Sequence, residues 1–332
     1  PKNDSPLSRY AFGTGRLYAG DLANVYETVR RAYDLGIRHF DASVGYDNAT
    51  PHAALGRLIR DVGEDELFVS TKIGHFRSTF PEYKKLYRNE GALWGVIHEC
   101  HRMLRGKLDL LQIHEADLSC WWDPEEPEDG YHFLSESRGE GIPPLVDAPV
   151  VRAVLEAKER GVCRFIGVTG NSSVPLASVA ARLDIDSVMC AYNLDPIFRG
   201  ALDAVAPAAR EKDLFFMSAG VLQGGSYRNP LDLPDSFRTF DEIVERFRRF
   251  AEIQSDSGLS AVELLIRWTM SVEGIDSWVL GASRPSQIEE TVEMLHRGPL
   301  PSDIQTALDA LALHDFDWRT ILREMMQRAG KS

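Results

Sequence analysis

Apolar positions along the chain alternate between two periods. Short, largely apolar runs such as "IRHFDA", "ELFVSTKIG", "LDLLQIHEA", "CRFIGVTG", "DSVMCAYN", "LFFMSAG" and "SWVLGAS" read as strands buried on both faces. Between most of them lie segments whose apolar residues recur three and four apart. In "LANVYETVRRAYDLG", Val25, Val29, Ala32 and Leu35 share one helical face, with Asp21 before it and Gly36 after it as start and stop signals. "HAALGRLIRD", "GALWGVIHECHRMLRGK", "APVVRAVLEAKERG", "RGALDAVAPAAREK", "SAVELLIRWTMSV" and "PSQIEETVEMLH" read as helices too. An eighth strand-like run, "LSRYAFGTG", stands at the start, either completing the sheet or lying outside it.

Strand-then-helix alternation over this length predicts a (β/α)8 barrel. A doubly wound sheet is the alternative, disfavoured because no GxGxxG follows an early strand. No linker composition interrupts the pattern, so residues 1–332 read as one domain. Two irregular stretches remain. One covers 115–147, directly after the strand ending in His114, and the other is "GGSYRNPLDLPD" at 224–235. Loops of that length in compact domains carry function or are disordered. Trp121, Trp122, Tyr131 and Phe133 argue against disorder in the first, and suggest a lid whose rings stack on substrate.

Composition narrows the function. The formal net charge is -13, which excludes a broad basic face for nucleic acid, so an anionic ligand needs a local cationic pocket. No apolar run approaches the ~18 residues of a membrane span, and "PKNDSPLSRY" lacks an apolar signal core. Cys100, Cys120, Cys163 and Cys190 are scattered without a CxxC pair, so a reduced, cytoplasmic setting is expected. "HECH" at 98–101 offers no third ligand, and no metal is expected.

In a barrel of this kind the carboxyl ends of the strands build the active site. Polar residues at those ends are Asp41, Tyr46 just beyond it, Lys72 and His114. Each has a bland reading as a helix cap, packing ring or solvated charge. Together they make chemical sense. A tyrosine phenol, with an ordinary pKa near 10, becomes a useful acid near neutrality when its phenolate is stabilised. An ammonium about 4 Å away contributes on the order of 4 kcal/mol at an effective dielectric near 20. Lys72 is the candidate cation and Asp41 the carboxylate that keeps it charged and aimed. His114 is placed to donate to a substrate carbonyl oxygen.

With these residues in place, the chain resembles the aldo-keto reductases over nearly its whole length. The resemblance is carried by "FGTG", "GIRHFDASVGY", "VSTK", "LDLLQIH", "GVCRFIGVTG" and "VLGASRPSQIEE". The family pattern Asp-Thr-Ala-x-x-Tyr appears as "DASVGY", with Asp41 and Tyr46 at the family spacing. The resemblance implies a barrel, a nicotinamide cofactor, and a tetrad of Asp41, Tyr46, Lys72 and His114 with Tyr46 as proton donor. It also implies cofactor contacts at Gly13, Thr14, Thr169, Gly170, Asn171, Met189, Ala219, Leu222, Gly281, Ser283, Arg284, Gln287 and Glu290.

Four of these positions, at three places in the chain, depart from the usual pattern. Thr169-Gly170 stands where the family has the Ser-Asn that holds the carboxamide, Met189 where Gln is common, and Ala219 where a Tyr often stacks. The departures resemble the branch that acts on sugars. The expected cofactor is NADP, with Arg284 as clamp for the extra phosphate and NAD as the alternative. The expected partner is a small carbonyl or sugar substrate, with Trp121 and Trp122 as substrate contacts. Competing readings are a non-catalytic NADP(H)-binding sensor on the same barrel and an aldolase using Lys72 as Schiff-base amine.

Overall fold

The computed structural model describes residues 9–17, 22–74, 86–128, 132–134, 144–229, 233–314, 316 and 321. The expected cap Asp21 and the expected lid ring Tyr131 lie outside them. Among the described residues, eight parallel strands follow one another around a barrel: β1 (Tyr10–Gly13), β2 (His39–Asp41), β3 (Phe68–Ile73), β4 (Leu110–Ile113), β5 (Phe165–Gly170), β6 (Ser187–Ala191), β7 (Phe215–Ala219) and β8 (Ser277–Gly281). The run "LSRYAFGTG" completes the sheet: Ala11 is in register with His39 on one side and with Val279 on the other, which closes the ring.

The surrounding helices are α1 (Leu22–Asp34), α2 (Thr50–Val62), α3 (Glu90–Met103), α4 (Pro149–Glu159), α5 (Ser173–Arg182), α6 (Ala206–Glu211), α7 (Asp235–Arg238), α8 (Asp241–Ser257), α9 (Ala261–Trp268), α10 (Pro285–His296) and α11 (Ser302–Asp309). Helix α1 buries Val25, Thr28, Val29 and Ala32; of the expected stripe, Leu35 falls just past the helix end and is only partly buried. It stops at Gly36, whose φ of 102° suits a residue without Cβ. Caps set other starts: the Asn89 side chain accepts from the Ala92 N–H, and Ser260 from that of Glu263.

Three longer helices go beyond the pattern read from the sequence. In α5, "SVPLASVAAR", small residues and Pro175 blur the apolar stripe. Helix α8 buries only Ile243, Phe247 and Phe250 on an otherwise charged surface, and with α11 it is an addition to strict alternation. No helix among the described residues is long and apolar enough to cross a membrane.

Alternating side chains divide two interiors. Outward positions such as Phe12, Phe40, Val69, Leu111, Ile166 and Val188 join the helices in the main core. A separate cluster of Ala11, Leu110, Met189, Met217 and Val279 fills the inside of the barrel. Other inward positions on β2, β3 and β4, Asp41, Ser70, Lys72 and Gln112 among them, are polar and lead to the site.

Candidate active site

Asp41 ends β2, and two elements converge on it. From β3, the Ser70 hydroxyl donates to Asp41 Oδ1 at 2.9 Å, and the Lys72 ammonium donates to Oδ2. From β4, Gln112 Nε2 donates to Oδ1 at 3.3 Å. Lys72 also donates to the Ala42 carbonyl at 3.1 Å, and its ammonium lies 5.2 Å from the centre of the Tyr46 ring. The Tyr46 ring stands edge-on to His114, with centroids 6.0 Å apart. A Cβ on Gly15 would be 3.4 Å from that ring, so the glycine turn after β1 lets Tyr46 lean over it. The four residues expected to work together therefore meet at the carboxyl end of β2, β3 and β4.

Lys72 is 1% exposed and Asp41 3%. Burial alone would lower the lysine pKa, but Asp41, and after it Tyr46, outweigh that and shift it upward, so Lys72 stays an ammonium. A charged lysine is a poor Schiff-base nucleophile. For Tyr46 the balance differs from the sequence expectation. Burial pushes the phenol up, Lys72 pulls it down, and burial wins. Lys72 does lower the phenol, as expected, but in the protein alone desolvation of the phenolate exceeds the attraction of a cation that Asp41 already partly neutralises, so the net shift is upward. Tyr46 is held protonated at neutral pH, the form a proton donor needs.

A second region lies beyond the ends of β7 and β8. A cleft of about 270 Å³ is lined by Leu222, Arg228, Val262, Gly281, Arg284, Gln287, Glu290 and Thr291. It thus gathers Leu222, Gly281, Arg284, Gln287 and Glu290, all expected as cofactor contacts. Arg228, from the second irregular stretch, is a cation the sequence reading did not single out. Arg16 is another: Cβ atoms on Gly224 and Gly281 would lie 3.3 Å and 3.7 Å from its side chain. Gly224 and Gly225 have φ of 65° and 105°, a tight turn that only glycines make without strain. Three arginines beside the start of α10 form a local cationic site on an acidic chain, and that donor set fits an anionic dinucleotide.

Other expected contacts are already engaged. Gln287 Oε1 accepts from the Ser283 backbone and hydroxyl at 2.8 and 3.0 Å, shaping the turn into α10. The Thr14 hydroxyl donates to the Asp41 carbonyl at 3.0 Å, tying β1 to β2. Gly13 ends β1 beside Gly281, and its own Cβ would lie 2.8 Å from Val279. Met189 is buried in the inner apolar cluster, with Ala219 packed against it. Thr169 and Gly170 end β5, and the Asn171 carbonyl accepts from Asn193 Nδ2 at 2.8 Å.

The insertion corrects the sequence reading. Its described part is docked to the barrel. Leu118 bridges Phe133, the Ser119 N–H donates to the His132 carbonyl, and that of Leu134 donates to Asp117. Arg88 reaches in from before α3 and donates to the carbonyls of Cys120, Asp123 and Glu126, while its N–H meets Glu128. Trp121 is fully buried in the main core and donates to the Ala116 carbonyl at 3.0 Å, so its ring is not available to stack on a substrate. Trp122 lines a cleft with Pro144, Leu145, Val146 and Arg182, which shares no residue with the tetrad. A long-range contact such as that of Arg88 leaves no local signal in sequence.

Barrel, tetrad and cationic cleft thus stand together at one end of a (β/α)8 fold. Residues 10–313 match the model of the Aldo/keto reductase family, and the chain belongs to that family. It is 22% identical over 312 residues to D-threo-aldose 1-dehydrogenase of Pseudomonas sp, covering 85% of this chain and 88% of that one. It is 24% identical over 277 residues to L-galactose dehydrogenase of Arabidopsis thaliana, covering 80% and 76%. Among solved structures, it is similar to the holo form of aldo-keto reductase AKR11C1 from Bacillus halodurans, with a TM-score of 0.69, 17% identity and 92% of each chain covered.

Proposed function

We propose that the protein is an NADP(H)-dependent reductase or dehydrogenase that interconverts a carbonyl and an alcohol, with a sugar or sugar-derived compound as substrate. The observation that carries this reading is the buried Asp41–Lys72 pair beside a protonated Tyr46 at the mouth of the barrel. The bound nicotinamide would supply or accept hydride. Tyr46 gives its phenolic proton to the developing alkoxide in reduction and takes it back in oxidation. Lys72 stabilises the phenolate left behind, and Asp41, itself fixed by Ser70 and Gln112, holds Lys72 in place. His114, at right angles to the Tyr46 ring, orients the substrate oxygen from the other side. Arg284, with Arg228 and Arg16, would hold the phosphates.

The sugar preference is supported by the relatives' names and by the changes at Thr169-Gly170, Met189 and Ala219. The test is cofactor turnover with NADPH, NADP⁺, NADH and NAD⁺ across a panel of aldoses, simple aldehydes and ketones. The expected result is NADP(H)-linked turnover that is highest with an aldose. Arg284→Ala should weaken NADPH by about 10- to 150-fold, the weight of one charged hydrogen bond, and NADH far less. Cofactor binding without turnover across the whole panel would favour a sensor. Equal losses for both cofactors in Arg284→Ala would remove Arg284 as the phosphate reader.

A further inference from the structure

Beneath the Thr169–Gly170–Asn171 turn lies an acid that the tetrad does not use. Asp117 is the fourth residue of the "HEAD" segment leaving β4, and it is 1% exposed. Its Oδ2 accepts from the Asn171 N–H at 2.9 Å, and the Ser172 N–H also hydrogen-bonds the carboxylate. The neighbouring Ala116 N–H donates to the Thr169 carbonyl at 2.7 Å. Among the described residues Asp117 Oδ1 has no hydrogen-bond partner, and it lies 2.7 Å from the place a Cβ on Gly170 would occupy. Gly170 is therefore the residue that leaves room for this carboxyl. The turn borders the tetrad directly, because β5 is paired with β4 up to Val168 opposite Ile113, one residue before His114.

We propose that Asp117 is a positioning residue for the Thr169–Asn171 turn. Its carboxylate occupies the space that a side chain at 170 would fill, clamps the turn by the Asn171 and Ser172 N–H groups, and so holds it ready for the nicotinamide. This rests on the function proposed above. The turn is braced from the other side by Asn193, which donates to the Asn171 carbonyl.

The arrangement costs stability. Burial, then the charge of Glu115, raise the Asp117 pKa to about 7. The groups that face it are Glu115 on its own segment and the Cys190 thiol of β6, and neither offers a compensating cation. With the folded pKa above the ordinary value, Asp117 favours the folded state most at low pH, and that contribution is lost as pH rises from about 4 through about 7. A buried acid that penalises folding at neutral pH, yet grips two backbone donors beside the tetrad, trades stability for the shape of the turn.

The test uses Asp117→Asn, which keeps shape and removes charge. The readouts are NADPH affinity by cofactor fluorescence from pH 6 to 8.5, amide exchange at Asn171 and Ser172 without cofactor, and urea unfolding at pH 8. The wild type should bind NADPH about fivefold more tightly at pH 8.5 than at pH 6, as charged hydrogen bonds replace neutral ones. Asp117→Asn should bind at the weaker level at every pH, exchange Asn171 and Ser172 faster, and yet be more stable than wild type at pH 8. An NADPH curve in Asp117→Asn that matches wild type at every pH overturns the positioning role alone. A less stable variant with unchanged NADPH affinity makes Asp117 a structural anchor and overturns it as well. Failure of the wild type to bind any nicotinamide cofactor overturns the functional reading and the positioning role with it, and the amide exchange then reports only on the fold.

Discussion

On the arc of the barrel formed by β2, β3 and β4, the inward positions towards the carboxyl end carry Asp41, Ser70, Lys72 and Gln112, while Phe68 and Leu110 below them join the inner apolar cluster. On the arc formed by β6, β7, β8 and β1 the inward positions carry Met189, Met217, Val279 and Ala11. Both arcs are buried, and their strands are of similar length. The apolar arc stabilises the fold in the ordinary way, at roughly 1.5–3 kcal/mol for each large side chain removed from water. The polar arc does not: taking a carboxylate and an ammonium out of water costs several kcal/mol per ion, and mutual attraction repays this only with good geometry and further hydrogen bonds. Ser70, Gln112 and the Ala42 carbonyl supply those bonds. The difference is the one the function proposed above requires: a polar arc kept for what it does to Tyr46, and an apolar arc that supports the barrel.

Breaking the polar arc should have the largest effect. Lys72→Met leaves Asp41 as a lone buried carboxylate. We expect a loss of about 3–5 kcal/mol in urea unfolding, and turnover reduced by at least ~100-fold. Replacing both partners, Asp41→Leu with Lys72→Met, sharpens the contrast, since stability should recover most of the loss while turnover does not. A double variant as unstable as the single one would show that the pair serves the fold.

The apolar arc should answer in the opposite way. Met217→Ala opens a cavity and should cost about 2–5 kcal/mol of stability. Turnover per folded molecule should stay within a few-fold of wild type at temperatures well below unfolding. A loss of turnover comparable to that of Lys72→Met, with the fold intact, would erase the distinction between the arcs.

Much of this arrangement is legible in the sequence, and what is not has identifiable reasons. The barrel follows from period switching, because buried parallel strands are apolar throughout and amphipathic helices are not. The tetrad follows because the fold puts strand ends on one face, so "HFD", "STK" and "QIH" each deliver a polar residue there. Helix α5 is less visible because its stripe is made of small residues, and α8 because most of its surface is charged. The cationic cleft was only partly readable. Arg284 sits in a recognisable motif, but Arg16 and Arg228 come from loops that only the closed barrel brings together. Aromatic content misled at Trp121, since sequence shows that a ring must be covered and not what covers it. The net upward shift of Tyr46 depends on how completely the site is desolvated, which no spacing of residues reveals.

The most direct test of Tyr46 as the proton-transfer group is Tyr46→Phe, a change of one oxygen at a half-buried ring. Turnover with the best substrate of the panel and NADPH affinity would be measured on the same preparation. The expected result is turnover lowered by at least ~100-fold, with NADPH affinity and unfolding midpoint close to wild type. Turnover within a few-fold of wild type would contradict the assignment, and with it the role of the Asp41–Lys72 pair as support for the Tyr46 phenolate.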